Sequence, residues 1–241
     1  MMLADAHIHL DFLADPTAFA REAQARGLSL FANSVTPQGF ERTLDATHGM
    51  SHVCAGLGQH PWWIGQADLK RFDSLLPHTR WIGEVGLDFS PKRPHHERQA
   101  EVFDHIVGQC AREGNKVLSI HSVRAADAVL DTLEKTGCTR ACTCVFHWFS
   151  GSTDALWRAI RMGCWFSVNE MQANTRRAKE QLKLVPKERL LLETDLPPAE
   201  DATTTVANVL ASLERALTLL EAIRNEQLAS QLQANWLRLC M

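Results

Sequence analysis

No stretch of the 241-residue chain approaches the roughly 18 consecutive apolar residues of a membrane-spanning helix. No basic segment followed by an apolar run stands near its start either. The expectation is a cytoplasmic protein that is not exported. No CxxC pair occurs among the seven cysteines, Cys54, Cys110, Cys138, Cys142, Cys144, Cys164 and Cys240. Their odd number and spacing read as reduced core thiols rather than a disulfide framework. Cys142 and Cys144 precede His147, but no second cysteine pair follows to complete a sulfur-bound zinc site. Strong charge is lacking as well: 25 Lys and Arg against 28 Asp and Glu give a formal net charge of −3. Long stretches of nucleic acid would find no global field here, so any such contact is local. No Gly-rich dinucleotide fingerprint follows the first strand-like run, which argues against a doubly wound nucleotide-binding sheet. No Pro/Gly/Ser-rich linker divides the chain, and a single domain over residues 1–241 is expected. Tyrosine is absent while tryptophan occurs seven times, a choice nothing in the sequence explains.

What is present is alternation. Short apolar or β-branched runs recur at "LADAHI" (3–8), "LSLFANSV" (from 28), "HVCAGLGQ" (from 52), "RWIGEVGLD" (from 80), "KVLSIH" (from 116), "CTCVFHW" (from 142), "CWFSVN" (from 164) and "RLLLETD" (from 189). Between them lie segments of helical periodicity with matching punctuation. Asp15-Pro16 opens one that Gly27 closes, Thr36-Pro37 opens another, and a helix over 94–113 starts at Pro94 and carries Val102, Phe103, Ile106 and Val107 as its stripe. Strand and helix alternate eight times over a length suited to an α/β fold of the (β/α)8 TIM-barrel type. The closing segment holds two helical patterns, one more than a strict barrel needs, and the extra C-terminal helix is expected as a cap or against the bottom face.

The run "ADAHIHLD" poses a problem for a buried strand. Side chains alternate along an extended chain, so His7 and His9 share a face with Asp5 and Asp11. Unpartnered, each buried polar group costs roughly 1–3 kcal/mol. A divalent cation would satisfy both rings, and so would a hydrogen-bonded histidine pair. Barrel enzymes place their chemistry at the C-terminal strand ends. His7 and His9 end the first run, Glu84 lies in the fourth, and His121, His147 and Asp195 end the fifth, sixth and eighth. Four histidines and two carboxylates on one rim are the donor types for two divalent ions, zinc or magnesium/manganese, sharing a bridging carboxylate.

The ordered set "DAHIHLD", "GLGQHP", "GEVGLDF", "SIHSVRA", "FHWFSG" and "LLLETD" resembles the TatD family of metal-dependent hydrolases, within the amidohydrolase-like barrels, over roughly residues 3–200. The resemblance implies a two-metal deoxyribonuclease, often a 3′ to 5′ exonuclease on single-stranded DNA. Some relatives act instead on D-aminoacyl-tRNA esters, and some occur in antiviral defence operons, where the protein would serve a larger assembly. Carried over by motif, His7, His9, Glu84 and Asp195 would bind one metal, and Glu84, His121 and His147 the other. The catalytic pair is then Glu84 as the bridge and Asp195 as acceptor of a proton from the attacking water. The family commonly follows ETD with Ser-Pro and an aromatic, whereas this chain reads "ETDLPPAED", and its Glu200 and Asp201 could repel a phosphate backbone.

Other residues carry two readings each. His60 in "QHPWW" could donate to a scissile phosphate or simply precede a turn proline. Arg124 is placed for a phosphate contact or for solvent. Asp88 could orient a ligand histidine or cap its loop, and Glu193 could support the centre or face the barrel interior. Arg176, Arg177 and Lys179 form a basic patch that is either a DNA contact or a solvated helix face. Trp62, Trp63, Phe89, Trp148 and Phe149 fall in presumed rim loops suited to base stacking. The competing function is an ester or amide hydrolase on a small molecule or aminoacyl-tRNA.

Overall fold

The computed structural model describes residues 3–93, 95–200 and 203–241. Eight parallel strands run in chain order: β1 Leu3–Ile8, β2 Leu28–Asn33, β3 Val53–Gln59, β4 Trp81–Asp88, β5 Val117–Val123, β6 Thr143–His147, β7 Trp165–Val168 and β8 Leu190–Leu192. Each is apolar and almost wholly buried, as strands covered on both faces must be. The helices between them are α1 Pro16–Ala25, α2 Pro37–Ala46, α3 Leu69–Leu75, α4 His96–Glu113, α5 Ala126–Thr136, α6 Cys138–Ala141, α7 Thr153–Arg161, α8 Glu170–Ala173 and α9 Arg176–Leu182. Two more, α10 Val206–Arg224 and α11 Ala229–Cys240, close the chain. This is the (β/α)8 TIM barrel read from the alternation.

The punctuation acts as expected. Asp15 and Thr36 cap α1 and α2, each with proline next in line and its side chain accepting a backbone N–H from the first turn. The expected start of α4 at Pro94 lies outside the described residues, and the helix itself begins at His96. α11 takes the bottom position: Trp236 stacks with Trp81 at 6.1 Å, and with Leu239 joins Phe31, Val117, Val145 and Leu191 in an apolar cluster. Trp81 and Val117 are the first residues of β4 and β5, so the helix covers the N-terminal end of the barrel and leaves the other rim free.

The eighth run is shorter than its apolar pattern. β8 stops at Leu192 because the chain then leaves the β7 ladder to join β1. Asp195 N–H donates to His7 O at 2.9 Å and His9 N–H to Leu196 O at 2.8 Å. Asp5 fastens the same seam, accepting Thr194 N–H at 3.0 Å, the Thr194 hydroxyl at 2.5 Å and His7 N–H at 3.0 Å. Two glycines allow the close approach of neighbouring strands at the rim. A Cβ on Gly58 would lie 1.5 Å from Ser34 O, and one on Gly86, whose φ is +147°, 2.0 Å from His121 O.

Burial holds the Asp5 carboxyl up at about 7 despite its hydrogen bonds to Thr194 and His7. A raised folded pKa favours the protonated fold, so this contribution is complete below the unfolded value of about 3.9 and is lost as pH rises to about 7. Asp5→Asn keeps the shape without the titration. In chelator, the native protein should lose stability relative to this variant between pH 4.5 and pH 7, by no more than about 1.4 kcal/mol per pH unit. Urea midpoints of both proteins at the two pH values measure it; a gap that does not move with pH contradicts the assignment.

Candidate metal centre

The first strand places His7 and His9 on one inward face, and their Nε2 atoms lie 3.3 Å apart. Glu84 reaches in from β4 and divides its oxygens between two groups. Oε2 is 3.3 Å from His7 Nε2 and 3.4 Å from His9 Nε2. Oε1 is 2.7 Å from His121 Nδ1, 2.8 Å from His147 Nε2 and 3.2 Å from His60 Nε2. Asp195 completes the first group, with Oδ1 3.4 Å from His9 Nε2 and 3.7 Å from His7 Nε2. All six residues of the expected ligand set therefore meet at the C-terminal rim. Five are buried and Asp195 is a quarter exposed, the side from which a substrate can arrive.

The donor chemistry fits a cation. His9 Nδ1 is 3.1 Å from Asn33 O, which only accepts, so the ring proton sits on Nδ1 and Nε2 presents a lone pair. That lone pair faces two carboxylate oxygens and another imidazole nitrogen, an arrangement satisfied only by positive charge. In the metal-free protein a proton supplies it. Burial opposes charging of His9, but Asp11, Asp195 and Glu84 outweigh it and raise its pKa well above the usual value. His147 behaves likewise: burial is outweighed by Glu84 and Glu193. His7, by contrast, is pushed down by burial and by His147. Two imidazole nitrogens bound tetrahedrally to one zinc at about 2.0–2.1 Å stand about 3.3 Å apart. The His7–His9 spacing of 3.3 Å matches that, and His121 Nδ1 and His147 Nε2 stand 3.4 Å apart.

Neighbours fix the ligand rings. His7 Nδ1 is 2.7 Å from the Ser119 hydroxyl. Ser119 sits two residues before His121 and shares its face of β5, a spacing that is the only signal the sequence offers for it. Asp11 accepts Val35 N–H at 2.9 Å and stands 3.7 Å from His9 Nδ1. Asp88 Oδ2 accepts the Trp62 indole N–H at 2.6 Å and lies 3.4 Å from His121 Nε2. Burial works against ionisation of Asp88, but hydrogen bonds from His121, Ser90 and Trp62 hold its carboxyl well below the usual range. Asp88 thus orients a histidine instead of only capping its loop. Asp195 is lowered to about 2: burial opposes, and the His9 hydrogen bond with the charges of His147 and His7 prevails.

Two further groups stand near enough to be considered as ligands. The donor atoms of His60, Glu84 and His121 lie within 4.8 Å of one another, as do those of His7, His147 and Glu193. His60 Nδ1, however, accepts Trp62 N–H at 3.0 Å. Burial pushes this imidazole down to about 4, so the neutral ring carries its proton on Nε2 and offers a donor rather than a lone pair. Glu193 is fully buried, and its oxygens accept Trp148 N–H and Asn169 Nδ2–H at 3.0 Å each and the Ser167 hydroxyl. It faces the barrel interior and braces the sixth and seventh loops. Cys142 and Cys144 lie at the opposite end of β6: Cys142 donates to Cys110 O at 3.2 Å, and Cys144 Sγ is 3.9 Å from Cys138 Sγ.

The cavity over the centre is lined by Phe12, Trp62, Trp63, Trp148, Met171 and the Leu196–Pro198 segment. Trp62 is 45% exposed and stacks with Trp63 at 6.2 Å. Phe149 is a correction to the expected rim set. It is buried against Phe146 and Phe166, because the turn of positive φ at Trp148 sends the next side chain inward. Phe89, Arg124 and Arg177 line a second, adjoining groove, whereas Arg176 and Lys179 line neither. Of the acidic pair after the eighth run, Glu200 is exposed and Asp201 lies outside the described residues.

Comparison with known proteins gives the same architecture a lineage. A hydrolase from Bacillus subtilis strain 168, the uncharacterized metal-dependent hydrolase YabD, is 28% identical over 208 residues, covering 81% of this chain and 80% of the relative. The 3′-5′ ssDNA/RNA exonuclease TatD of Pantoea vagans strain C9-1 is 31% identical over 185 residues, covering 74% and 70%. In three dimensions the crystal structure of YjjV, a TatD homologue from Escherichia coli K12, superposes with a TM-score of 0.83 at 25% identity, covering 99% of this chain and 97% of that one. The family model described as TatD related DNase matches residues 4–240, and with the histidine and carboxylate donors gathered at the rim, the chain belongs to that family and is a metal-dependent hydrolase acting on ester bonds.

Proposed function

We propose that the chain hydrolyses phosphodiester bonds in nucleic acid, releasing nucleotides from the 3′ end of a single strand of DNA, with two divalent ions held at the rim. The observation that carries this reading is the division of Glu84. One oxygen serves His7 and His9 beside Asp195, the other His121 and His147. A phosphodiester presents two oxygens to neutralise, and paired positive charge on either side of one carboxylate suits it. The name of the Pantoea relative supports the strand and the polarity. When bound, zinc, manganese or magnesium ions would lower the pKa of a water and neutralise charge on phosphorus oxygens.

The chain's own residues do the rest. Asp195 is ionised, partly exposed and at the mouth, and it takes the proton from the attacking water. His60 Nε2–H, which faces Glu84 Oε1 at 3.2 Å, stands beside the reacting position as a neutral donor that a phosphoryl oxygen can share. Trp62 holds Asp88, and Asp88 holds His121. Trp63 and Trp148 line the cavity as flat rings suited to an unpaired base, with stacking worth about 1–3 kcal/mol per base, while the Arg93 guanidinium lies over the Trp62 ring at 3.6 Å.

A second reading has one observation in its favour: apart from Arg93, which lies over Trp62, no Lys or Arg stands at the cavity over the centre among the described residues, and Met171, Leu196, Pro197 and Pro198 make its outer wall apolar. An uncharged ester, including an aminoacyl ester of tRNA, would fit such a wall. End-labelled oligonucleotides incubated with metal-loaded protein separate the two. The nuclease reading expects a stepwise ladder from the 3′ end that Asp195→Asn removes and that His60→Ala slows by roughly 10²–10³-fold. Turnover of aminoacyl esters with oligonucleotides untouched would reject it.

A further inference from the structure

Beside the metal centre, on the same rim, lies a groove that the chemistry above does not use. Its floor follows directly on the ligands: Ser122 comes after His121, and Ser150 three residues after His147. Arg124 enters from the loop after β5 and Arg177 from α9, so two guanidinium groups 53 positions apart in sequence face one space. Both are exposed, and neither forms an ion pair or a hydrogen bond through its side chain among the described residues. Ser122 is only 4% exposed, yet its hydroxyl likewise has no partner among the described residues. The residue is buried but its hydroxyl lines the groove, where it is free to donate to a ligand.

The groove also borders the first turn of α5, an eleven-residue helix. Its N-cap is Ala125, which supplies no side-chain hydrogen bond, so the opening amides of the helix are left as free donors. Asp127 is the one acidic lining residue, against two arginines. Planar guanidinium forks, a hydroxyl and backbone amides together suit an oxyanion over a neutral group, and a backbone phosphate presents the oxygens they need.

We propose that this groove holds a second phosphate of the nucleic-acid backbone, one that the centre does not cleave, between Arg124, Arg177, the Ser122 hydroxyl and the first amides of α5. The inference rests on the phosphodiesterase reading and adds a division of labour to it. Bases meet the aromatic wall over the metal centre, while the continuing backbone leaves through the arginine groove. Apart from Arg93, engaged over Trp62, the cationic contacts stand in this groove rather than in the aromatic cavity. The enzyme then discriminates in favour of a chain with several phosphates over any substrate with one.

Two substrates test this on the metal-loaded full chain: a single-stranded oligonucleotide and bis(4-nitrophenyl) phosphate, which has one phosphate and cannot span both sites. Arg124→Gln and Arg177→Ala should each raise KM for the oligonucleotide about tenfold. Each should also reduce the slope of log kcat/KM against log salt by about 0.7, the value for one phosphate contact on a single strand. The ratio of oligonucleotide to diester kcat/KM should fall accordingly. Arg177→Lys should recover part of the ratio by restoring charge without the fork. Lys135→Ala, at the far end of α5, should leave both ratio and slope unmoved. An unchanged ratio and slope in Arg177→Ala, or equal losses on both substrates, would overturn the groove while leaving the phosphodiesterase reading intact. Failure of the unmodified protein to turn over either substrate would remove that reading and the groove together.

Discussion

Glu84→Gln should lower phosphodiester hydrolysis by on the order of 10³- to 10⁵-fold, equivalent to roughly 4–7 kcal/mol of transition-state stabilisation. Among the described residues, only Glu84 brings carboxylate oxygens within 3.4 Å of both groups of histidines. An amide in its place would present one weak acceptor and one NH2 group to nitrogens at 2.7–3.4 Å that require an anion or a cation between them. In the native protein burial opposes ionisation of Glu84, but the histidines packed around it, His60, His147, His7 and the hydrogen-bonded His121, hold its carboxyl well below the usual range. The loss should appear in kcat together with metal content, measured on the same preparation by steady-state kinetics and elemental analysis. A Glu84→Gln protein that binds two equivalents of metal and keeps activity within tenfold of native would contradict the role of bridge.

Removing the metal should cost the next-largest amount. At free metal 10²–10³ times above its dissociation constant, binding stabilises the fold by about 2.7–4.1 kcal/mol. For a chain of this length that corresponds to a Tm lower by roughly 5–15 °C in chelator. The difference should widen as pH rises, and the sign follows from the histidines. His9 and His147 have raised folded pKa values, so in the metal-free protein their contribution to stability is fully present below about 6.5 and is lost as pH rises through the folded values. Metal needs those same nitrogens deprotonated, so its binding releases protons and tightens over the same range. Differential scanning fluorimetry with and without chelator at pH 6, 7 and 8 measures the gap. A gap that narrows with rising pH would show that the metal is held elsewhere.

The periodic features of the chain were readable in advance because they are local. Eight apolar runs separated by capped helices predict the barrel, and the alternation of "DAHIH" predicts that His7 and His9 face one way, which is how they stand. Convergence of His121, His147 and Asp195 follows from the strand-end rule once the strands are numbered, whereas Glu84 stands four residues before the end of β4. What the sequence did not reveal depends on partners far away in the chain. His60 was ambiguous until the Trp62 amide at 3.0 Å assigned its tautomer, a local hydrogen bond set by a turn whose geometry no residue type dictates. Ser119 and the carbonyl of Asn33 were invisible as supports for His7 and His9, since only barrel closure brings β1 against β2 and β5 at the rim.

Loop residues were the least legible. Phe149 and Trp148 are adjacent and both aromatic, yet one is core and the other rim, because a backbone turn and not hydrophobicity decides between them. Arg176 and Arg177 look equivalent in sequence, but the 100° between consecutive positions on a helix turns only the second into the groove. The eighth run reads as continuous through Asp195, but the strand ends at Leu192, where the backbone switches partners from β7 to β1. That switch delivers Asp195, at φ +60°, to His9 across the seam.

The most direct test of the proposed dinuclear centre is anomalous diffraction from crystals of the metal-loaded protein, collected at the absorption edge of the loaded ion, with manganese or zinc. Two peaks are expected on either side of Glu84, one within coordination distance of His7, His9 and Asp195 and the other of His121 and His147. A single peak away from Glu84, or none at the rim in crystals of active protein, would contradict the account.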